Sequence, residues 1–218
     1  MMKRALLTTV LLATMSLASA QDAKPGDVAA GQAKAASCFG CHGIKGYQAS
    51  FPEIHKVPMI SGQGAKFIAA SLVAYKKGDR KHPTMRAISA SLTDQDIADL
   101  SAFFAAHGGP SASVPAQAAA ADAPVAELLK KGACESCHGK NYSAPIDPAY
   151  PKIAGQHADY LFVALKAYKT TGNAQVGRAN PIMGGMAVNF SNNELRAIAN
   201  YLASLPSELH TVKEPYFR

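Results

Sequence analysis

The sequence predicts an all-α protein built from two tandem copies of one module, each of about 90 residues, joined by an Ala/Pro-rich linker. Three observations carry that reading. Apolar residues recur at i, i+4 and i+7 in several stretches, the spacing of a one-faced helix, whereas nothing alternates over the length of a strand. Five short elements of the first half return in the second, 93 to 98 residues later. Between the copies, the chain from Gly108-Gly109-Pro110 to Pro124 is rich in Ala, Pro and Ser, a linker composition. The expected organisation is an export signal over 1–20, a first domain over 21–108, a linker over 109–123 and a second domain over 124–218.

The export signal comes first. Lys3 and Arg4 give a positive start, residues 5–17 an apolar stretch, and Ala18-Ser19-Ala20 a small-residue cleavage site. The apolar stretch is shorter than the roughly 20 residues a spanning helix needs, so the mature chain is expected to lie outside the cytoplasm without a transmembrane segment. Removing 20 of 218 residues leaves 198, and losing Lys3 and Arg4 takes the net charge from +7 to +5. That surplus is mild. With no extended basic run and no tryptophan, nucleic acid is a poor match as a partner. The densest basic stretch, Lys76-Lys77-Gly78-Asp79-Arg80-Lys81, reads as a solvated helix end whose lysines complement the dipole.

The helices follow in order. Asp27 and Asp122 are candidate N-caps for helices over 28–37 and 125–133. Ile68, Leu72 and Tyr75, then Leu161, Leu165 and Tyr168, give each half a one-faced helix. Thr93-x-x-Asp96 and Ser191-x-x-Glu194 have the form of capping boxes that open the last helix of each half. Ile97, Leu100 and Phe104 line the first of these helices; Leu195, Ile198 and Leu202 line the second.

The chemistry lies in Cys38-Phe39-Gly40-Cys41-His42 and Cys134-Glu135-Ser136-Cys137-His138, which together use all four cysteines. Cys-x-x-Cys-His is the attachment signature of covalently bound haem. On one helical turn, i and i+3 share a face, so two thiols reach the two vinyl groups of one porphyrin. The histidine at i+4 is carried to the iron as proximal ligand. A four-sulfur zinc site needs no histidine after each pair and usually draws its pairs from closer in sequence. A redox dithiol belongs with a βαβ pattern that is lacking here. Disulfides are the remaining alternative in an exported chain. The repeat favours two covalent haem c groups.

Other elements repeat with the motifs. Pro58-Met59-Ile60-Ser61-Gly62-Gln63 returns as Pro151-Lys152-Ile153-Ala154-Gly155-Gln156, Tyr75-Lys76 as Tyr168-Lys169, and Arg80 and Met85 as Arg178 and Met183. In these residues the chain resembles the bacterial di-haem cytochromes c of the c-four type, two class I cytochrome c domains in tandem. The resemblance runs from Asp27 to about Leu205. It implies a periplasmic, often membrane-associated electron carrier with His/Met ligation at both irons: His42 with Met85, and His138 with Met183. Each of these methionines precedes a hydrophobic residue, Leu92 or Phe190, by seven, the family's ligand register; Met186 misses that register by three and is expected to pack. Met59 is expected in the core. The resemblance also makes the Pro58 and Pro151 carbonyls acceptors for the ligating histidines, packs Ile60 and Ile153 on the porphyrins, and places Arg80 and Arg178 at propionates. His55, His82, His107, His157 and His210 are expected to be structural or superficial.

The function these readings give is electron transfer without catalysis, because protein fills both axial positions of each iron. Partners are expected to be a redox donor and acceptor, among them a membrane-bound oxidase; peripheral membrane contact is left open. Two rivals stand. A di-haem peroxidase needs an open or switchable iron, and a haem subunit of a dehydrogenase, such as a flavin sulfide dehydrogenase, needs a stable partner. The near-symmetric repeat and the resemblance place the two haems near the domain interface with propionates approaching, while the linker composition by itself would permit independent domains.

Overall fold

The computed structural model describes residues 24–107 and 114–213. The expected export signal over 1–20, residues 21–23, the first part of the linker and the last five residues lie outside them. The first half comprises α1 (Val28–Lys34), α2 (Ala36–His42), β1 (Gln48–Ala49), β2 (His55–Lys56), α3 (Ala65–Lys77), β3 (Arg80–Lys81), α4 (Pro83–Ala90) and α5 (Asp94–Ala106). The second repeats the helices as α6 (Ala123–Lys131), α7 (Glu135–His138), α8 (Ala158–Lys169), α9 (Pro181–Ala187) and α10 (Asn192–Ser204), with β4 (Gly177–Arg178) before α9. The protein is all-α apart from two-residue ladders too short to leave an alternating signature.

The local signals act as expected. Asp27 and Asp122 accept hydrogen bonds from Ala30 N and Val125 N, and both capping boxes form. The expected helix over 28–37 is divided at Ala35, and its second part continues through the first Cys-x-x-Cys-His motif. Each half closes its own core. Phe39, Ile68, Leu100, Phe103 and Phe104 are buried together in the first, and Leu129, Leu161, Phe162, Leu195, Ile198 and Leu202 in the second. Gly31 lets α1 cross α5 at close range, since a Cβ there would meet Asp99 O at 2.2 Å.

Buried Asp99 fastens that crossing. It accepts from Asp27 N at 2.9 Å, Lys34 Nζ at 2.7 Å and Gln95 Nε2 at 2.8 Å. The Asp27 amide foremost, then Lys34 and Gln95, hold its carboxyl down to about 2. A carboxylate depressed by folding stabilises the fold fully above its unfolded value near 4 and ceases to do so as pH falls through the folded value. Asp99→Asn is therefore expected to lower the thermal midpoint at pH 7, with the gap narrowing between about pH 4 and pH 2. A gap independent of pH would contradict this.

The two domains are docked, not independent. Strand β3 pairs antiparallel with β4 across the interface, with Arg80 opposite Arg178, and Ala179 N donates to Asp79 O at 2.7 Å. The β1–β2 hairpin reaches the second domain: Lys56 N donates to Asp159 Oδ2 at 3.0 Å, and Lys166 Nζ meets Glu53 Oε1 at 2.8 Å. The part of the linker that is described lies on the second domain, through Ala118 N to Lys140 O, Asn141 Nδ2 to Pro115 O and Tyr201 OH to Ala119 O. After α10 the chain returns to the first domain, where His210 N donates to Ser61 O at 3.0 Å. Gly62, at φ +83, permits that approach, because a Cβ would lie 2.3 Å from Glu208 O.

Candidate functional site

Cys38, Cys41 and His42 stand on the turn of α2 that opens onto the interior of the first domain. In the second domain Cys134 is the αR N-cap of α7, so Cys137 and His138 follow on the same turn. All four thiols are free. Burial pushes the Cys38 thiol up and the Cys134 thiol up to about 11, so these two are protonated at neutral pH. Neither is activated as the nucleophile of a redox dithiol would be.

The histidines are held in matching ways. His42 Nδ1 lies 2.8 Å from Pro58 O, and His138 Nδ1 lies 3.0 Å from Pro151 O. A carbonyl only accepts, so Nδ1 carries the proton and the Nε2 lone pair is left for a metal. Burial lowers both imidazoles' proton affinity, outweighing the opposing effect of the carbonyl, and keeps them neutral. Opposite them, α4 and α9 each begin with a capping side chain and a proline. His82 accepts from Met85 N at 3.4 Å, and Asn180 accepts from Met183 N at 2.9 Å. The capping role explains His82 without iron.

One cavity of about 700 Å³ runs through both domains, and all fourteen residues named above as cofactor or metal candidates line it. Ile60 and Ile153 are on its wall, as are Met85 and Met183. Met186 also lines it, as a residue packing against haem would. Met59 is only partly buried and lies at the domain contact instead of in a core.

At the cavity's interdomain edge the arginines converge. Arg80 donates to Ser71 Oγ and to Tyr160 OH, both at 2.7 Å, and Arg178 donates to the same phenol at 3.2 Å. Burial opposes ionisation of Tyr160, but the two guanidiniums overcome it and bring the phenol down to about 8. Among the described residues neither arginine has a carboxylate within ion-pair distance, and Arg80 Nε is buried without a partner. A buried Arg80 and a partly buried Arg178, both short of anions at the edge of an apolar cavity, fit the propionates of haem. Arg80 thus departs from the solvated helix end expected for its basic stretch, and Lys81 instead donates across the interface to Asn173 O at 2.5 Å.

Sequence reasoning missed Tyr160 and Ser71. The only hint of Tyr160 is that its counterpart in the first half, 93 residues earlier, is Phe67. Three other histidines have places in the fold, while His210 Nε2 is buried without a partner among the described residues. His55 Nδ1 meets Glu53 O at 2.8 Å, His107 stacks on Phe103, and His157 is the N-cap of α8.

The comparisons show the family. The cytochrome c family model matches residues 28–107 and 123–206. A cytochrome c4 of Azotobacter vinelandii is 32% identical over 94% of this chain and all of its own length. The crystal structure of reduced recombinant cytochrome c4 from Pseudomonas stutzeri superposes with a TM-score of 0.57 at 28% identity, covering 85% of this chain and 100% of that one. A thiosulfate dehydrogenase electron acceptor of Stutzerimonas stutzeri is 28% identical, over 78% of this chain and 80% of its own.

Proposed function

Because the chain belongs to the cytochrome c family, as a di-haem electron carrier of the cytochrome c4 type, we propose that it works in the periplasm as a respiratory carrier feeding a terminal oxidase. The observation that supports this most is the pair of equivalent His/Met sets brought to one cavity by two copies of one module. Cys38 and Cys41 would hold one haem c by thioether bonds, and Cys134 and Cys137 the other. Haem supplies an iron that alternates between the ferric and ferrous states.

The chain's residues decide what that iron is used for. His42 and His138, neutral and fixed by their carbonyls, present Nε2 as ligands; a carbonyl partner of this kind raises ligand basicity. Met85 and Met183 add a neutral soft thioether, which favours the ferrous form and raises the potential. With a histidine and a methionine both held to each iron, no coordination site would be left for a substrate. Arg80 and Arg178 would neutralise propionates at the domain contact. Tyr160 serves both guanidiniums as a common acceptor. The export signal over 1–20 supports the compartment. Among the described residues no helix is long and apolar enough to cross a membrane.

A second reading concerns the donor. The Stutzerimonas relative's name makes it the electron acceptor of a thiosulfate dehydrogenase, which favours a sulfur-compound dehydrogenase upstream of this chain. The purified, reduced holoprotein is expected to be reoxidised by oxidase-containing membranes, and to show no turnover of hydrogen peroxide, sulfide or thiosulfate above that of a mono-haem carrier. Sustained, saturable peroxidase activity with a high-spin signal from one resting haem would overturn the carrier reading. A dehydrogenase that co-purifies stably would establish the subunit rival.

A further inference from the structure

Each copy of the Pro-x-Ile-x-Gly-Gln element ends in a glutamine whose side chain leaves its own domain. Gln156 Nε2 donates to Met59 O at 2.9 Å, and Met59 N donates back to Gln156 Oε1 at 3.1 Å. Reciprocally, Gln63 Nε2 donates to Lys152 O at 2.9 Å, and Lys152 N donates to Gln63 Oε1 at 2.9 Å. Both glutamines are 4% exposed. Each oxygen is also held by the next amide in its own chain, from Gly64 or His157.

Met59 and Lys152 immediately follow Pro58 and Pro151. The Pro58–Met59 peptide group thus accepts from His42 at its carbonyl and donates to Gln156 of the other domain at its N–H. The Pro151–Lys152 peptide does the same between His138 and Gln63. We propose that Gln63 and Gln156 are crossed positioning residues, each tuning from its own domain the axial histidine of the other. Hydrogen bonds in series polarise one another. An acceptor on the N–H makes the carbonyl a better acceptor, a better acceptor makes the imidazole a more basic ligand, and a more basic ligand favours ferric iron. Each glutamine therefore lowers the potential of the opposite haem.

The inference rests on His42 and His138 being the iron ligands, and its test separates the two claims. In the parent holoprotein, a redox titration is followed through the shifted methyl signals of the axial methionines, each assigned by its loss in Met85→Ala or Met183→Ala. Absence of two His/Met haems in the parent would break the ligand assignment itself. With that assignment standing, Gln156→Met is expected to raise the ferrous-to-ferric ratio of the N-terminal haem about threefold at the parent midpoint, about 28 mV at 59 mV per decade. The C-terminal haem is expected to move much less. Gln63→Met should show the mirror image.

Gln156→Glu at pH 5, where a buried carboxyl is neutral and offers Met59 the same C=O and a donor, is expected to restore the parent value. Should Gln156→Met part the domains, that Gln156→Glu protein carries the test to pH 9. Its ionised carboxylate strengthens the acceptor on Met59 N, and the N-terminal midpoint is expected to fall while the C-terminal one holds. Shifts that follow the substituted domain, strike both haems equally or vanish would overturn the proposal.

Discussion

Replacing Cys134 and Cys137 together with alanine is expected to halve the covalent haem, from two per chain to one, with the N-terminal haem retained. The basis is structural separation. Cys134 and Cys137 are carried by α7 and its cap, Cys38 and Cys41 by α2, and each domain has its own buried cluster. Loss of one attachment should therefore leave the other module to mature. Cys134→Ala alone should weaken only the second attachment, because Cys137 and the His138 ligand remain. Intact mass and a pyridine haemochrome assay would read both results directly. A parent mass with one haem or bound zinc, or loss of both haems in the double variant, would contradict the account.

Methionine substitution is expected to have the next largest effect. Met183→Ala should remove about half of the weak far-red band of ferric iron bound to thioether sulfur, and lower the potential of the C-terminal haem. Met186→Ala should leave the band intact. Met183 is placed like Met85: both are the third residue of a helix that begins with proline and is capped by the preceding side chain, so both backbones are fixed in the same register. Met186 is one turn farther along α9, outside that register. If the Met186 variant loses half of the band while the Met183 variant keeps it all, the ligand assignment is wrong.

The features legible in the sequence were those set within a few residues of one another. Asp27, Asp122, Thr93 and Ser191 announce helix starts because their side chains bond amides three positions on. The Cys-x-x-Cys-His motifs are legible for the same reason, one helical turn being their whole geometry. What lay beyond reading was decided across the interface. Two-residue pairing of β3 with β4 leaves no period to detect, and the roles of Tyr160 and of the two glutamines depend on residues 80 to 97 positions away. The linker's composition suggested freedom, yet Ala118 and Ala119 are bonded to the second domain by backbone groups, which composition does not encode. His82 lacked an evident counterpart because its partner in the repeat, Asn180, performs the same cap with a different side chain.

The central claim, that this chain holds two six-coordinate His/Met haems and uses them only to carry electrons, is tested most directly by a redox titration of the purified holoprotein with its optical spectrum recorded throughout. The expected result is two one-electron steps, two haems per chain, and low-spin spectra with thioether ligation at both irons in both oxidation states. A single one-electron step with one haem per chain, or a high-spin, five-coordinate component from either haem at any potential, would contradict it.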